Sequence, residues 1–201
     1  MRNWVLGTAV ATLIGTVAAA QDRCPTAEDL ATGIRLTRND PLFSVVLTRT
    51  DEGIAEARVM SRGDGPEEVS TFYSHGLTVS RRIGSGGTLE LRYDRDTAEL
   101  DSLPGYREWS TPVTLLSDGL EANGGTYTAR ISGLGDATIG DCTYTVWRVQ
   151  DRLELAGMQP MVFEKAFAPD LGIPLSAIQI APDGSPVSGV FFDEIAIEPV
   201  Q

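Results

Sequence analysis

From Ile34 onward the chain alternates apolar and polar residues with a period of two. The pairs Ile34 and Leu36, then Val45 and Leu47, are followed by Val69, Thr71 and Tyr73, by Leu77 and Val79, and by Leu89, Leu91 and Tyr93. Each set predicts a half-buried antiparallel strand. Clusters rich in Gly, Asp, Asn and Pro punctuate the pattern at 51–53, 63–66, 117–119, 123–125 and 182–184, and these predict turns. Segment 94–106 is polar, ends in Pro104-Gly105, and predicts a long connection to a second group of strands. That group runs through Tyr127, Ala129 and Ile131, then Ala137 and Ile139, then a long strand over Cys142–Leu155, with further strands at 158–167, Ile173–Ile180 and 190–197. In the long strand Thr143, Thr145, Trp147, Val149, Asp151, Leu153 and Leu155 are expected on one face. One short N-terminal helix is predicted over 26–32, with Thr26 as its cap and Glu28 and Asp29 in its first turn.

About ten strands in one sheet must curl or split to bury a face. The expected fold is therefore all-β or β-dominated: a strongly curved antiparallel sheet or half-open barrel meander. The N-terminal segment adds a compartment. Arg2 precedes an uncharged, mostly apolar run over 4–17, and Ala18-Ala19-Ala20 follows. This reads as a signal peptide over 1–20, with Ala18 and Ala20 at the positions a signal peptidase reads and Gln21 first in the mature chain. No paired arginines precede the run, and Cys24 follows Gln21-Asp22-Arg23 rather than small apolar residues, so general secretion is expected rather than lipid anchoring. No later stretch is apolar for long enough to predict a membrane span. The expectation is a single β-rich domain over 21–201 in the periplasm or secreted.

In such a compartment the two cysteines, Cys24 and Cys142, are expected to pair. Charge narrows the partners. The formal net charge of -12 becomes -13 without Arg2, a field of the wrong sign for nucleic acid. Segment 154–201 is the most acidic part, with seven carboxylates against Lys165.

The segment Gly140-Asp141-Cys142-Thr143-Tyr144-Thr145-Val146-Trp147, then 164–174 (Glu-Lys-Ala-Phe-Ala-Pro-Asp-Leu-Gly-Ile-Pro), then Pro182-Asp183-Gly184, resembles the closing strands of uncharacterised periplasmic proteins. That group is similar in outline to the lipoprotein-carrier fold, a half-open barrel around a helical plug. The resemblance covers about the last third of the chain and implies the fold only, since no functional residue is carried over.

Chemistry is sparse. His75 is the single histidine and lies between two alternating strands, where a turn or edge position explains it; no second His or free Cys completes a zinc-type donor set, and no Gly-x-Ser-x-Gly elbow occurs. Gly84-Ser85-Gly86-Gly87 and Gly133-Leu134-Gly135 fail the phosphate-loop fingerprint and read as turns. Carboxylates cluster at Asp94, Asp96, Glu99 and Asp101, but Glu99 and Gly105 stand where an EF-hand would need Gly and Glu. A solvated loop or an irregular calcium site both fit that cluster. No catalytic residue, resident metal or cofactor is predicted. Aromatic residues at Trp109, Tyr127, Trp147, Phe163 and Phe167 would fill a core, or line an apolar cleft if the curved sheet is left open. Three functions follow. The first is binding of a lipid or other apolar or acylated ligand on the concave face. The alternative is an envelope assembly protein that docks a partner through a strand edge or the acidic C-terminal third. The third is a carboxylate-dependent carbohydrate hydrolase.

Overall fold

The computed structural model describes residues 23–62 and 65–199, with side chains throughout except at 59–62 and 65–68. The signal-peptide positions Ala18, Ala20 and Gln21 lie outside the described residues. Thirteen strands form one antiparallel sheet. They are β1 (Ile34–Arg38), β2 (Phe43–Thr50), β3 (Gly53–Arg62), β4 (Gly65–His75), β5 (Thr78–Gly84), β6 (Gly87–Tyr93), β7 (Glu108–Ser117), β8 (Leu120–Ile139), β9 (Cys142–Leu155), β10 (Met161–Ala168), β11 (Ile173–Ile180), β12 (Pro186–Val190) and β13 (Glu194–Ile197). β1 to β12 are a continuous meander in sequence order, and β13 returns to pair with the outer edge of β1. The sheet curls strongly without closing into a barrel.

Its two edge strands, β12 and β13, are consecutive in the chain and joined by 191–193. The seam is held from the β1–β2 turn: Asn39 donates its backbone N–H to Asp193 Oδ2 at 2.7 Å, and the Phe43 and Phe192 rings lie 6.1 Å apart.

Because the meander alternates direction, its turns fall at two ends. At one end the interior is filled. The predicted N-terminal helix is a 3₁₀ segment, Ala27–Ala31, where Asp29 accepts from the Thr26 backbone N–H at 2.8 Å and Leu30 is fully buried. The 94–106 connection contains a 3₁₀ segment, Thr97–Ser102, and one α-helical turn, Leu103–Tyr106, neither of which its polarity suggested. Leu100 and Leu103 are the apolar minority of that segment, and both are fully buried against Leu77, Trp109 and Phe167. Gly76 lets the β4–β5 turn come close to the β10–β11 turn: a Cβ there would meet the Gly172 carbonyl oxygen at 2.1 Å.

Two local readings of the sequence are corrected. Segments 123–125 and 133–135 are not turns but lie within the 20-residue strand β8, near register shifts at Leu115/Leu116 and Ile131/Gly133. A bulge absorbs glycine as readily as a turn does. The long strand β9 also does not keep one face inward. Val149, Asp151 and Leu155 are buried in its second half, whereas Cys142 and Val146 are buried in its first half, on the opposite parity. Beyond the Ile131/Gly133 shift, the tip of the β8–β9 hairpin leaves β10 and folds across the filled end. There Tyr144 donates its hydroxyl to the Pro25 carbonyl at 3.0 Å, and Cys24 and Cys142 form a disulfide spanning 118 residues. A simple period of two cannot show such an inversion.

A candidate ligand cavity on the concave face

Away from the plugged end, the inward faces of the strands enclose a cavity of about 360 Å³. That lies within the range of about 300–1,000 Å³ usual for small-molecule sites. Alternation builds its walls. Leu36 of β1, Val45 and Leu47 of β2, Val79 of β5, Leu91 of β6, Leu153 of β9 and Phe163 of β10 each project from an inward-facing position. Phe192, in the seam link, completes the apolar lining.

Into this apolar surface the strands bring two ionic clusters. On β3 and β4, Glu56 pairs with Arg58 and accepts the Tyr73 hydroxyl at 2.8 Å. On β8, β9 and β10, Asp151 pairs with Lys165, and the Tyr127 hydroxyl lies 3.0 Å from Asp151 Oδ2 and 2.9 Å from the Leu77 carbonyl oxygen. Lys165 Nζ donates to the same carbonyl at 3.0 Å. Glu56 and Asp151 are both buried, at 7% and 4% exposure. Burial works to lower the Arg58 pKa, but its charge and hydrogen-bond contacts with Glu56 outweigh that and raise it. Burial, reinforced by the neighbouring carboxylate, pushes the Tyr73 and Tyr127 hydroxyls well above the ordinary phenol range. Both tyrosines therefore remain hydrogen-bond donors at any physiological pH. Two oxygens in the lining, Asp151 Oδ1 and Thr71 Oγ1, are buried without a hydrogen-bond partner among the described residues.

The five aromatics read from the sequence are divided by the structure. Tyr127 and Phe163 line the cavity. Trp109 and Phe167, each 1% exposed, pack beneath it in the filled end, and Trp147 lies against Phe167 at 5.5 Å between ring centroids. The helical connection supplies the side chains that cover them, a contact invisible to strand periodicity.

The polar clusters were missed in the sequence, although signals existed. Lys165 is the only lysine among 16 basic residues, and Asp151 interrupts an otherwise apolar run of inward positions. Glu56 and Arg58 lie in β3, whose hydrophobic alternation is too weak to mark it as a strand.

Elsewhere, the acidic segment has structural roles. Asp96 accepts from the Ala98 N–H at 3.0 Å, Glu99 pairs with Arg95 and accepts the Trp109 indole N–H at 3.2 Å, and Asp101 lies 3.4 Å from His75 Nε2. Among the described residues, no group of three or more His, Cys, Asp or Glu is placed to hold a metal ion. His75 packs on Phe167, accepts the Leu77 N–H on Nδ1 at 3.2 Å, and has its pKa lowered by burial. No helix among the described residues is long and apolar enough to cross a membrane.

No protein-family model and no curated protein matches the chain. Among solved structures it is similar to the hypothetical lipoprotein YmcC from Escherichia coli, with 14% sequence identity, 87% of this chain and 88% of that chain covered, and a TM-score of 0.44.

Proposed function

We propose that the protein is an exported, non-enzymatic binding protein that holds an apolar ligand, such as a lipid or acylated molecule, in the cavity of its half-open barrel. The observation that carries this reading is the lining itself: a concave space of about 360 Å³ walled mainly by aliphatic and aromatic side chains that strand alternation would otherwise bring into contact. Transfer of a ligand's hydrocarbon surface from water to such a wall is favourable by about 25 cal/mol per Å². Export is supported by the apolar N-terminal run in the sequence and by the Cys24–Cys142 disulfide, which persists outside reducing compartments.

The test is to fill the space. Ala177 lines the cavity on β11, and Ala177→Trp places an indole where the ligand would lie. Displacement of an apolar fluorophore by aliphatic probes is expected for the natural protein and should be abolished in Ala177→Trp without loss of the folded state. Undiminished binding by the filled variant would remove the cavity from consideration.

A second reading, partner docking by strand addition, is favoured by one observation. β12 and β13 are sheet edges, and Val187 on β12 and Phe191 beside it are 61% and 58% exposed. Proline at Val187 would block pairing along that edge and leave the cavity intact, so the two readings separate experimentally.

A further inference from the structure

The described lining of the cavity carries five charged side chains, and four of them are paired: Glu56 with Arg58, and Asp151 with Lys165. The fifth, Arg82, forms no ion pair or hydrogen bond among the described residues. Three cations against two carboxylates leave this lining with one surplus positive charge, in a chain whose formal net charge is -12.

Arg82 sits where that charge can meet a head group. The β4–β5 and β10–β11 turns belong to the plugged end, so the last residues of β5 and the first of β10 lie at the opposite one. Arg82, near the end of β5, is exposed, and Met161, the first residue of β10, is 37% exposed; both line the cavity and so mark its mouth. Arg82 also lines a second, adjoining pocket of about 210 Å³, formed with Val69, Leu89 and the β5–β6 turn at 84–87 (Gly-Ser-Gly-Gly). It is the one described residue common to both linings. The large cavity is walled mainly by apolar surface, whereas the small pocket is mainly polar. Three of its four turn residues lack a side chain, and a Cβ on Gly86 would meet nothing within 4 Å, so backbone and guanidinium form much of the wall. Asp118, beside Gly87, accepts the Thr88 N–H on Oδ1 at 2.9 Å and belongs to neither lining.

Resting on the reading of the cavity as an apolar-ligand site, we infer that its ligand is an anionic amphiphile: the aliphatic chain lies in the large cavity, and an oxyanion head group, phosphate or carboxylate, passes the mouth into the small pocket against Arg82. A guanidinium presents a planar fork of N–H donors that matches two oxygens of either group. A glycine-rich turn lets a head group approach the backbone closely. The turn opens no helix, so recognition rests on one partly solvated cation and the discrimination is that of an exposed ion pair.

Octyl phosphate, octanoate, octanol and octylammonium share one chain and differ in head-group charge, so competition of each against an apolar fluorophore reads the preference directly. The two anions are expected to bind about tenfold more tightly than octylammonium, the combined effect of one attraction gained and one repulsion avoided. The charge of the chain as a whole favours the opposite order, so this result reports the local site. Arg82→Gln should weaken octyl phosphate about fivefold and leave octanol unchanged, and Arg82→Lys should restore most of the loss. Because Arg82 is exposed and unpaired among the described residues, both variants should fold as the natural protein does. Binding of octylammonium as tight as that of the anions, or an octyl phosphate affinity indifferent to Arg82→Gln, would overturn the head-group assignment while leaving the cavity as a binding site. If none of the four displaces the fluorophore, the cavity reading fails and the ligand class falls with it.

Discussion

The filled end and the open cavity of this sheet are built from the same alternating strands, yet one is packed solid and the other is not. At the filled end inward positions are occupied by Trp109, Ala129, Val149 and Phe167, and the helical connection adds Leu100 and Leu103 from outside the sheet. In the cavity, the inward positions of β3, β9 and β10 hold Glu56, Arg58, Asp151 and Lys165, and connections contribute only Leu77 and Phe192 to the lining, with no helical segment over it. Curvature brings the strands together at both ends. Side chains from connections decide which end closes.

That contrast predicts an ordered series of effects. Removal of the Cys24–Cys142 bond, which clamps the β8–β9 hairpin over the filled end, should be the most costly. The chain-entropy model assigns about 4.7 kcal/mol to a loop on the order of 100 residues. A Cys24→Ser, Cys142→Ser double variant should therefore unfold at much lower denaturant concentration than the natural protein. Next, Trp109→Ala should cost about 3–5 kcal/mol, because a fully buried indole is lost from packing that cannot collapse around the gap.

The cavity should respond differently. Lys165→Met leaves Asp151 buried and unpaired and is expected to destabilise by about 3 kcal/mol, whereas Asp151→Leu combined with Lys165→Met should be near neutral or stabilising. A double-mutant cycle measured by chemical denaturation checks this. If the double variant were as unstable as the single, the ion pair would be part of the scaffold rather than of the site.

The smallest effect concerns pH at the filled end. The Arg23 hydrogen bonds, aided by Thr26, hold the Asp29 carboxyl down to about 2 from 3.8. A carboxyl depressed in the folded state contributes stability that is present above 3.8 and lost as the pH falls through about 2. Arg23→Gln should lower the unfolding midpoint slightly at all pH above 3.8, neutrality included, leave it unchanged below about 2, and so flatten the acid limb between.

How much of this was legible in the sequence differs between the same two regions. Alternation at Ile34 and Leu36, at Val45 and Leu47, and along Leu89, Leu91 and Tyr93 marked real strands; β1 and β2 bury that apolar face, whereas in β6 Leu89 is exposed and Leu91 and Tyr93 are half-buried. The Cys24–Cys142 bond was legible from count and compartment. The plug was not, because Leu100 and Leu103 are isolated apolar residues in a polar segment and owe their burial to tertiary contacts. β3 was also hidden, since Glu56 and Arg58 occupy the inward positions that hydrophobic residues would mark. The face inversion in β9 follows from a register shift that no periodicity records. Sequence pattern thus reported where the sheet is ordinary. It was silent where helices plug it and where charge replaces hydrocarbon.

The heat-capacity change on binding octanol, by calorimetric titration at several temperatures, tests the central claim most directly. Burial of an aliphatic chain in the cavity should give a clearly negative value for the natural protein, with no measurable binding to Ala177→Trp. A heat-capacity change near zero, or equal binding by the filled variant, would contradict the claim that the open part of this sheet is a ligand site.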